Sequence, residues 1–389
     1  MHLENYFAKR TNWQLAENDI STSLKCLKQK EKVIDLSESN PTRCGFKYDN
    51  IISRALSNKK NYLYEPNPKG LHQAREVVAR YYREKGIIVS PDDIFLTSST
   101  SEGYSFLFRL LLNPGEGIFL PQPSYPLFQF LCDINDVESK FYQLAYEDNW
   151  RIDFNSIENN LSGNTRAIVL VNPNNPTGSF VKESELASLN NVCQKKNMAI
   201  ICDEVFFDYG FDKNDKKPSL ASNRESLTFV LSGISKILAL PQMKLSWIVV
   251  SGPKELKDEA IKRLEVITDT YLSVNSATQN ALAHWFKVKN SIQKQIMQRV
   301  LKNYELAKKE MNSEIGDLFN VEGGWYVILK IKKEANEEAL CLELLEKEKV
   351  FVHPGYFFDF NHGSHLVISL LPEPKDFSLG IQRIAKSLS

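Results

Sequence analysis

The stretch Thr228-Phe-Val-Leu-Ser-Gly-Ile-Ser-Lys236 begins as a short apolar, β-favouring run, passes through small residues and ends on one lysine. Its first residues have the character of a buried strand, and the serines and glycine mark where that strand stops. A lysine delivered directly after a strand presents an amine, and burial or a neighbouring cation lowers its pKa towards the range in which it attacks a carbonyl carbon. Most lysines that follow strands are solvated surface residues, so the neighbours of Lys236 decide what it is for.

Comparable apolar runs recur at 94–96, 118–120, 167–171, 198–202 and 247–250. They predict strands buried on both faces. Helical patterns at 102–112 and 182–196 lie between them, and such alternation implies an α/β fold with a mainly parallel sheet and right-handed crossovers. We assign residues 46–285 to this large domain. From 276 to 311 the positions Ala277, Ala281, Trp285, Ile292, Ile296, Val300 and Leu306 recur at helical spacing, which predicts one long connecting helix. Strand-like runs at 324–331, 350–352 and 365–370, with helical patterns at 336–348 and at the end, predict a smaller α+β domain over 286–389. Residues 1–45 are too polar for a core of their own. They are expected to pack on the small domain or on a second subunit.

Lys plus Arg and Asp plus Glu both number 48 in the 389 residues, which argues against a nucleic-acid groove or an anionic membrane surface as the main partner. The six cysteines show no CxxC spacing, so reduced thiols are expected, with no disulfide and no metal site. The first residues lack an apolar signal core and no run reaches the ~18 apolar residues of a membrane span. A soluble, cytoplasmic protein acting on small molecules is the expectation.

Ligands of open parallel sheets bind outside the carboxyl ends of the strands, and the unusual residues of this chain collect there. Thr97-Ser-Ser-Thr100-Ser101-Glu102 offers hydroxyls and free amides at a helix N-terminus, suited to a phosphate as well as to ordinary capping. Pro121-Gln-Pro-Ser-Tyr125-Pro holds one aromatic ring in a stiff loop, available for stacking or for packing. Asn172-Pro-Asn-Asn175-Pro-Thr-Gly178 lifts amides above the sheet. Asp203-Glu204 places acids directly after an apolar run, where desolvation calls for a cationic partner. Gly115-Glu-Gly117 precedes a strand and opens no helix, so it is a turn and not a dinucleotide fingerprint.

Taken together these motifs resemble the class I/II aminotransferase family of fold-type I pyridoxal phosphate enzymes. The resemblance spans nearly the whole chain and adds Tyr62-Leu-Tyr64 before Gly70, Leu240-Pro241, Gly323-Gly324 and His353-Pro-Gly355. It implies a Schiff base between Lys236 and pyridoxal 5'-phosphate, with Lys236 also carrying the substrate proton. It implies that Asp203 pairs with the ring nitrogen, Asn175 meets the ring hydroxyl and Tyr125 stacks on the ring. Thr100, Ser101, Ser232 or Ser235, Lys244 and a partner subunit's Tyr64 would hold the phosphate, which makes the enzyme a homodimer with shared sites.

The chain departs from the family pattern at several positions. Gly233 stands where a phosphate-binding serine is usual, Lys244 where an arginine is usual, and Phe206 in place of a tyrosine, which predicts a raised pKa for the Lys236 imine. Val367 occupies the place of the arginine that clasps the α-carboxylate. His365, on the same side of a strand, is a candidate substitute, though exposure to solvent is the simpler expectation for it. Asn40 and Arg43, in Glu38-Ser-Asn-Pro-Thr-Arg43, are candidate substrate contacts or parts of a polar turn. The implied activity is transfer of an amino group between a donor and a keto acid or aldehyde with atypical substrate recognition. A lyase or decarboxylase on the same scaffold, or a degraded scaffold with a regulatory or structural role, are the alternatives.

Overall fold

The apolar runs form strands because neither of their faces meets water. In the computed structural model, which describes residues 6–212, 217–272, 274–311 and 314–389, the strands in chain order are β1 (Ile34–Asp35), β2 (Ile94–Thr97), β3 (Gly117–Gln122), β4 (Glu138–Tyr146), β5 (Trp150–Ile152), β6 (Thr165–Val171), β7 (Ala199–Asp203), β8 (Thr228–Gly233), β9 (Ser246–Ser251), β10 (Gly316–Leu318), β11 (Tyr326–Ile331), β12 (Val350–Phe351), β13 (His353–Pro354) and β14 (Ser364–Ser369). Eight of them build one sheet in the order β2-β9-β8-β7-β6-β3-β4-β5. β8, β7, β6, β3 and β4 are mutually parallel. β9 runs antiparallel to both β8 and β2, and β5 runs antiparallel to β4. The sheet is therefore mainly parallel, with one reversed strand inside it.

Alternate residues of one strand feed opposite cores. In β7, Ile200 and Cys202 join one apolar cluster and Ala199 and Ile201 the other, each large side chain contributing about 1.5–3 kcal/mol by burial. The sequence reading passed over β4, which carries partly exposed polar residues near the sheet's edge and so lacks a continuous apolar run.

The long helix predicted over 276–311 is two helices, Ser276–Phe286 and Lys289–Glu310. The break follows from where each half is anchored. Trp285, fully buried, donates to the Ile52 carbonyl and packs in the core of the large sheet, while Ile292, Ile296 and Val300 pack in a different cluster around the second sheet.

That second sheet is antiparallel, in the order β10-β11-β14-β13. Its register sets Tyr326 opposite Ser369 and Lys330 opposite His365. β1 pairs with β12 in parallel, which ties the N-terminal segment to the C-terminal part of the chain. The two sheets meet where Gly178 docks on Gly323. A Cβ on Gly178 would lie 2.5 Å from the Gly323 carbonyl oxygen, and its φ of +69° favours glycine as well.

Candidate active site

The strands β2, β3, β6, β7 and β8 end along one edge of the large sheet, and each is followed there by a residue with chemistry. Lys236 lies in the single helical turn Ile234–Ile237 directly after β8. Its Nζ is 5.3 Å from the centre of the Phe206 ring and 5.0 Å from that of Trp325. Burial among these rings pulls the amine down to about 8, with the charge of Asp203 opposing the shift.

Asp203 ends β7 and is 8% exposed. One carboxylate oxygen accepts the Val205 amide at 3.0 Å and the other accepts the Tyr104 hydroxyl at 3.3 Å. Desolvation nevertheless raises this carboxyl to about 6, against the hydrogen bonds and the pull of Lys236. The adjacent acid has a different role. Glu204 is buried, accepts the Ser219 hydroxyl at 2.7 Å and the Leu220 amide at 2.8 Å, and is raised to about 7 by desolvation. Its partners are structural, and they fix the loop behind the site.

Three asparagines follow β6, and two of them hold the loop itself. The Asn172 oxygen accepts the Val181 amide at 3.0 Å, and the Asn174 amide donates to the Pro123 carbonyl at 3.1 Å and to Thr177 at 3.0 Å. Asn175 differs, because its Oδ1 is buried without a hydrogen-bond partner. An unpaired buried oxygen costs about 1–3 kcal/mol, so a ligand at this point would relieve it.

After β2, the helix Thr100–Leu111 is capped by Ser99, whose hydroxyl accepts the Glu102 amide at 3.1 Å, while Glu102 reaches back to the Ser98 amide at 2.6 Å. The capping reading of this cluster therefore holds for Ser98, Ser99 and Glu102. Thr100 and Ser101 sit in the first turn, where amides lack intrahelical partners, and they remain free to face an anion.

Tyr125 is 42% exposed, with its ring edge-on to Phe128. Ser235 is half-buried, and Lys244 is exposed in a left-handed conformation at φ 52°. Tyr62, Leu63 and Tyr64 are 89%, 59% and 72% exposed, a run of large side chains left open among the described residues.

On the small-sheet side the structure separates the candidates. Val367 is fully buried in the apolar cluster and offers no donor. His365 is not exposed as expected, being 4% exposed and stacked on Phe360 at 4.3 Å. It pairs with Lys330, four residues along β11 from Tyr326, or about 13 Å at a strand's rise, and so lies far from the end of β11 that meets Phe206. Desolvation and Lys330 lower its pKa to about 4, which leaves the ring neutral. The structure does not bring His365 to Lys236.

Asn40 caps the short turn Pro41–Arg43, its side-chain oxygen accepting the Thr42 amide at 3.1 Å and the Thr42 hydroxyl at 2.7 Å. Its amide oxygen is thus committed to the turn. Arg43 lies 3.9 Å from Glu38 and is 75% exposed. The segment rests against the end of β14, where the Ser369 hydroxyl donates to the Glu38 carbonyl at 2.7 Å.

Sequence reasoning missed Trp325 and Tyr104. Trp325 follows the quoted Gly323-Gly324 pair and is fully buried against Lys236, Phe206 and Tyr209. Tyr104 stands one helical turn beyond Thr100, a spacing that turns it towards the sheet.

Residues 18–377 match the family model Aminotransferase class I and II. The glutamate-pyruvate aminotransferase AlaA of Haemophilus influenzae is 27% identical over 377 residues, covering 94% of this chain and 93% of that protein. The alanine aminotransferase of Mycobacterium bovis is 26% identical over 369 residues, covering 92% and 86%. Among solved structures, the alanine aminotransferase from Pyrococcus furiosus shares the fold with a TM-score of 0.89 at 23% identity, covering 98% of this chain and 99% of that one. Members of this family depend on pyridoxal phosphate. The unpartnered Asn175 oxygen, the buried Asp203, the half-buried Lys236 amine and the first-turn amides form a polar set that fits that group. The chain belongs to the class I and II aminotransferase family and is a pyridoxal phosphate-dependent aminotransferase.

Proposed function

We propose that the protein moves an amino group between an amino donor and a keto acid or aldehyde at the edge formed by β2, β6, β7 and β8, with recognition of the substrate carboxylate altered from the family pattern. The observation that carries this reading is the convergence at one sheet edge of Lys236 directly after β8, the buried Asp203 at the end of β7 and the unpartnered Asn175 oxygen after β6, with desolvation lowering the amine to about 8 and raising the carboxyl to about 6. When bound, pyridoxal phosphate supplies an aldehyde and an electron-withdrawing ring that accepts charge from the substrate carbon.

Lys236 is the residue we assign to the aldehyde. Its lowered pKa leaves roughly a tenth of the amine unprotonated at pH 7, so the side chain can both hold the cofactor and take up and return a proton. Asp203 would face the ring nitrogen as an anion and favour its protonated form, a role that would justify the cost in stability of a desolvated carboxylate there. Asn175 would meet the ring hydroxyl, and Tyr125 would stack on the ring face. Thr100 and Ser101, with Ser235 and Lys244, would hold the phosphate. The exposed Tyr62-Leu63-Tyr64 run supports a homodimer in which Tyr64 reaches the partner subunit's site. Arg43, on the segment that rests against β14, is our candidate for an anionic group of the substrate, and the enzyme is expected to act in the cytoplasm. Among the described residues no helix is long and apolar enough to cross a membrane.

The test is the visible spectrum of the protein with added pyridoxal phosphate while amino acids and simple amines are introduced in turn. A band that Lys236→Ala abolishes, and that bleaches with some donor as a keto acid appears, supports transfer. A band that bleaches with loss of carbon dioxide or of a β-substituent sinks transfer in favour of decarboxylation or elimination.

A further inference from the structure

β9 runs opposite to its neighbours, so its first residue reaches the edge where β2 and β8 end. That residue is Ser246, paired with Thr97 of β2 on one side and with Gly233 of β8 on the other. Thr97 leads into the turn that carries Thr100 and Ser101, and Gly233 leads into Lys236. Ser246 is 2% exposed, and its hydroxyl forms no hydrogen bond with another described residue. A Cβ built on Gly233 would lie 2.3 Å from the Ser246 oxygen. The hydroxyl therefore already occupies the space in which a side chain at 233 would begin.

We infer that Ser246 is a phosphate ligand of the cofactor site, its hydroxyl supplying from β9 the donor that Gly233 cannot supply from β8. The inference rests on the cofactor reading above. A phosphate at this edge needs donors close to its oxygens, and Lys244 brings charge without the paired fork of an arginine. Ser246 stands between the free amides of the Thr100 turn and the lysine, where a hydroxyl completes the ring of donors. The same contact makes Gly233 and Ser246 a coupled pair, because side chains at both positions collide.

The test is equilibrium binding of pyridoxal phosphate and of pyridoxal, which lacks the phosphate, to cofactor-free protein. Ser246→Ala is expected to weaken pyridoxal phosphate about tenfold to a hundredfold, the loss of one charge-assisted hydrogen bond, and to leave pyridoxal within about twofold. Gly233→Ser alone is expected to bind poorly through the collision, and the exchange Gly233→Ser with Ser246→Gly to recover most of the affinity. Equal weakening of both ligands in Ser246→Ala, or no weakening of either, overturns the inference. A wild-type protein that binds neither ligand overturns the cofactor reading, and this proposal with it.

Discussion

At the carboxyl edge of the large sheet, Asp203 and Lys236 are each displaced towards neutrality by burial, and Asn175 keeps a buried oxygen without a partner. On the small sheet, β14 presents Leu366, Val367 and Ile368, all fully buried and apolar, and its one ionisable residue, His365, is neutral and remote. The first region keeps polar groups that a bound ligand would satisfy further, beyond the hydrogen bonds that Asp203 already accepts. In the second, β14 carries none of the charge that an α-carboxylate would need, although the ring nitrogens His365 Nδ1 and His353 Nδ1 are buried without hydrogen-bond partners there as well. This difference is what supports the proposal of altered carboxylate recognition: the edge of the large sheet keeps polar groups placed for a ligand, and β14 offers no cation at position 367.

Replacing Asp203 tests the first region most severely. Asp203→Asn is expected to lower turnover a hundredfold or more, the scale of losing a preorganised electrostatic partner. The same change should stabilise the cofactor-free protein. The carboxyl is raised from 3.8 to about 6 on folding, so the folded state holds its proton more tightly and stability falls as pH rises from about 4 to 6. Above that range the cost stays, on the order of 3 kcal/mol. Thermal melts of the cofactor-free variant should therefore exceed those of wild type by a few degrees at pH 8 and match them at pH 4. A variant less stable than wild type at pH 8 would show that Asp203 is satisfied and not held ready for a ligand.

Val367→Arg puts the opposite question to the small sheet. A guanidinium at this position stands between Ile328 of β11 and His353 of β13, inside an apolar cluster, and an uncompensated buried charge costs about 3–5 kcal/mol. A lower urea midpoint without better use of α-amino acids is the expected result. If the variant were as stable as wild type and its KM for an amino-acid donor fell tenfold, the small sheet would have to be regarded as a carboxylate site lacking one residue.

Phe206→Tyr sharpens the comparison at the boundary between the two regions. Phe206 is 4% exposed, with Trp325 edge-on at 5.1 Å and the Lys236 amine at 5.3 Å. A phenol in that position adds one donor near the ring hydroxyl of the cofactor, and a donor to the anionic form favours it. The midpoint of the holoenzyme's visible pH titration should move down by about one unit. An unmoved midpoint would place the ring oxygen beyond the reach of position 206.

The residues proposed to carry chemistry stand out in the sequence because their types are unusual after apolar runs: a lysine after β8, an acid after β7, amides after β6. What the sequence withheld was direction and anchorage. The run at 247–250 has the apolar character of its parallel neighbours, and nothing in it announces that β9 is reversed, so Ser246 was counted at no edge. The helical spacing over 276–311 is continuous, and the break appears only because Trp285 and Ile292 belong to different cores. His365 was placed on the correct side of its strand by alternation, but alternation says nothing about distance along it, which the register with Lys330 supplies.

That distance makes His365 the smallest expected effect and a clean control. His365→Phe preserves a ring for Phe360 to stack on, and the backbone amide that donates to Glu337 at 2.6 Å is unchanged by the substitution. The imidazole is already neutral above pH 5, since its pKa is lowered to about 4, so no charge disappears in the working range. KM for donor and acceptor should stay within about twofold of wild type, a difference of less than 0.5 kcal/mol, and the pH profile of kcat/KM should not move. A KM raised tenfold with kcat intact would mean that β14 closes towards the site when substrate binds, carrying His365 with it, and the contrast between the two regions would then belong to the open form alone.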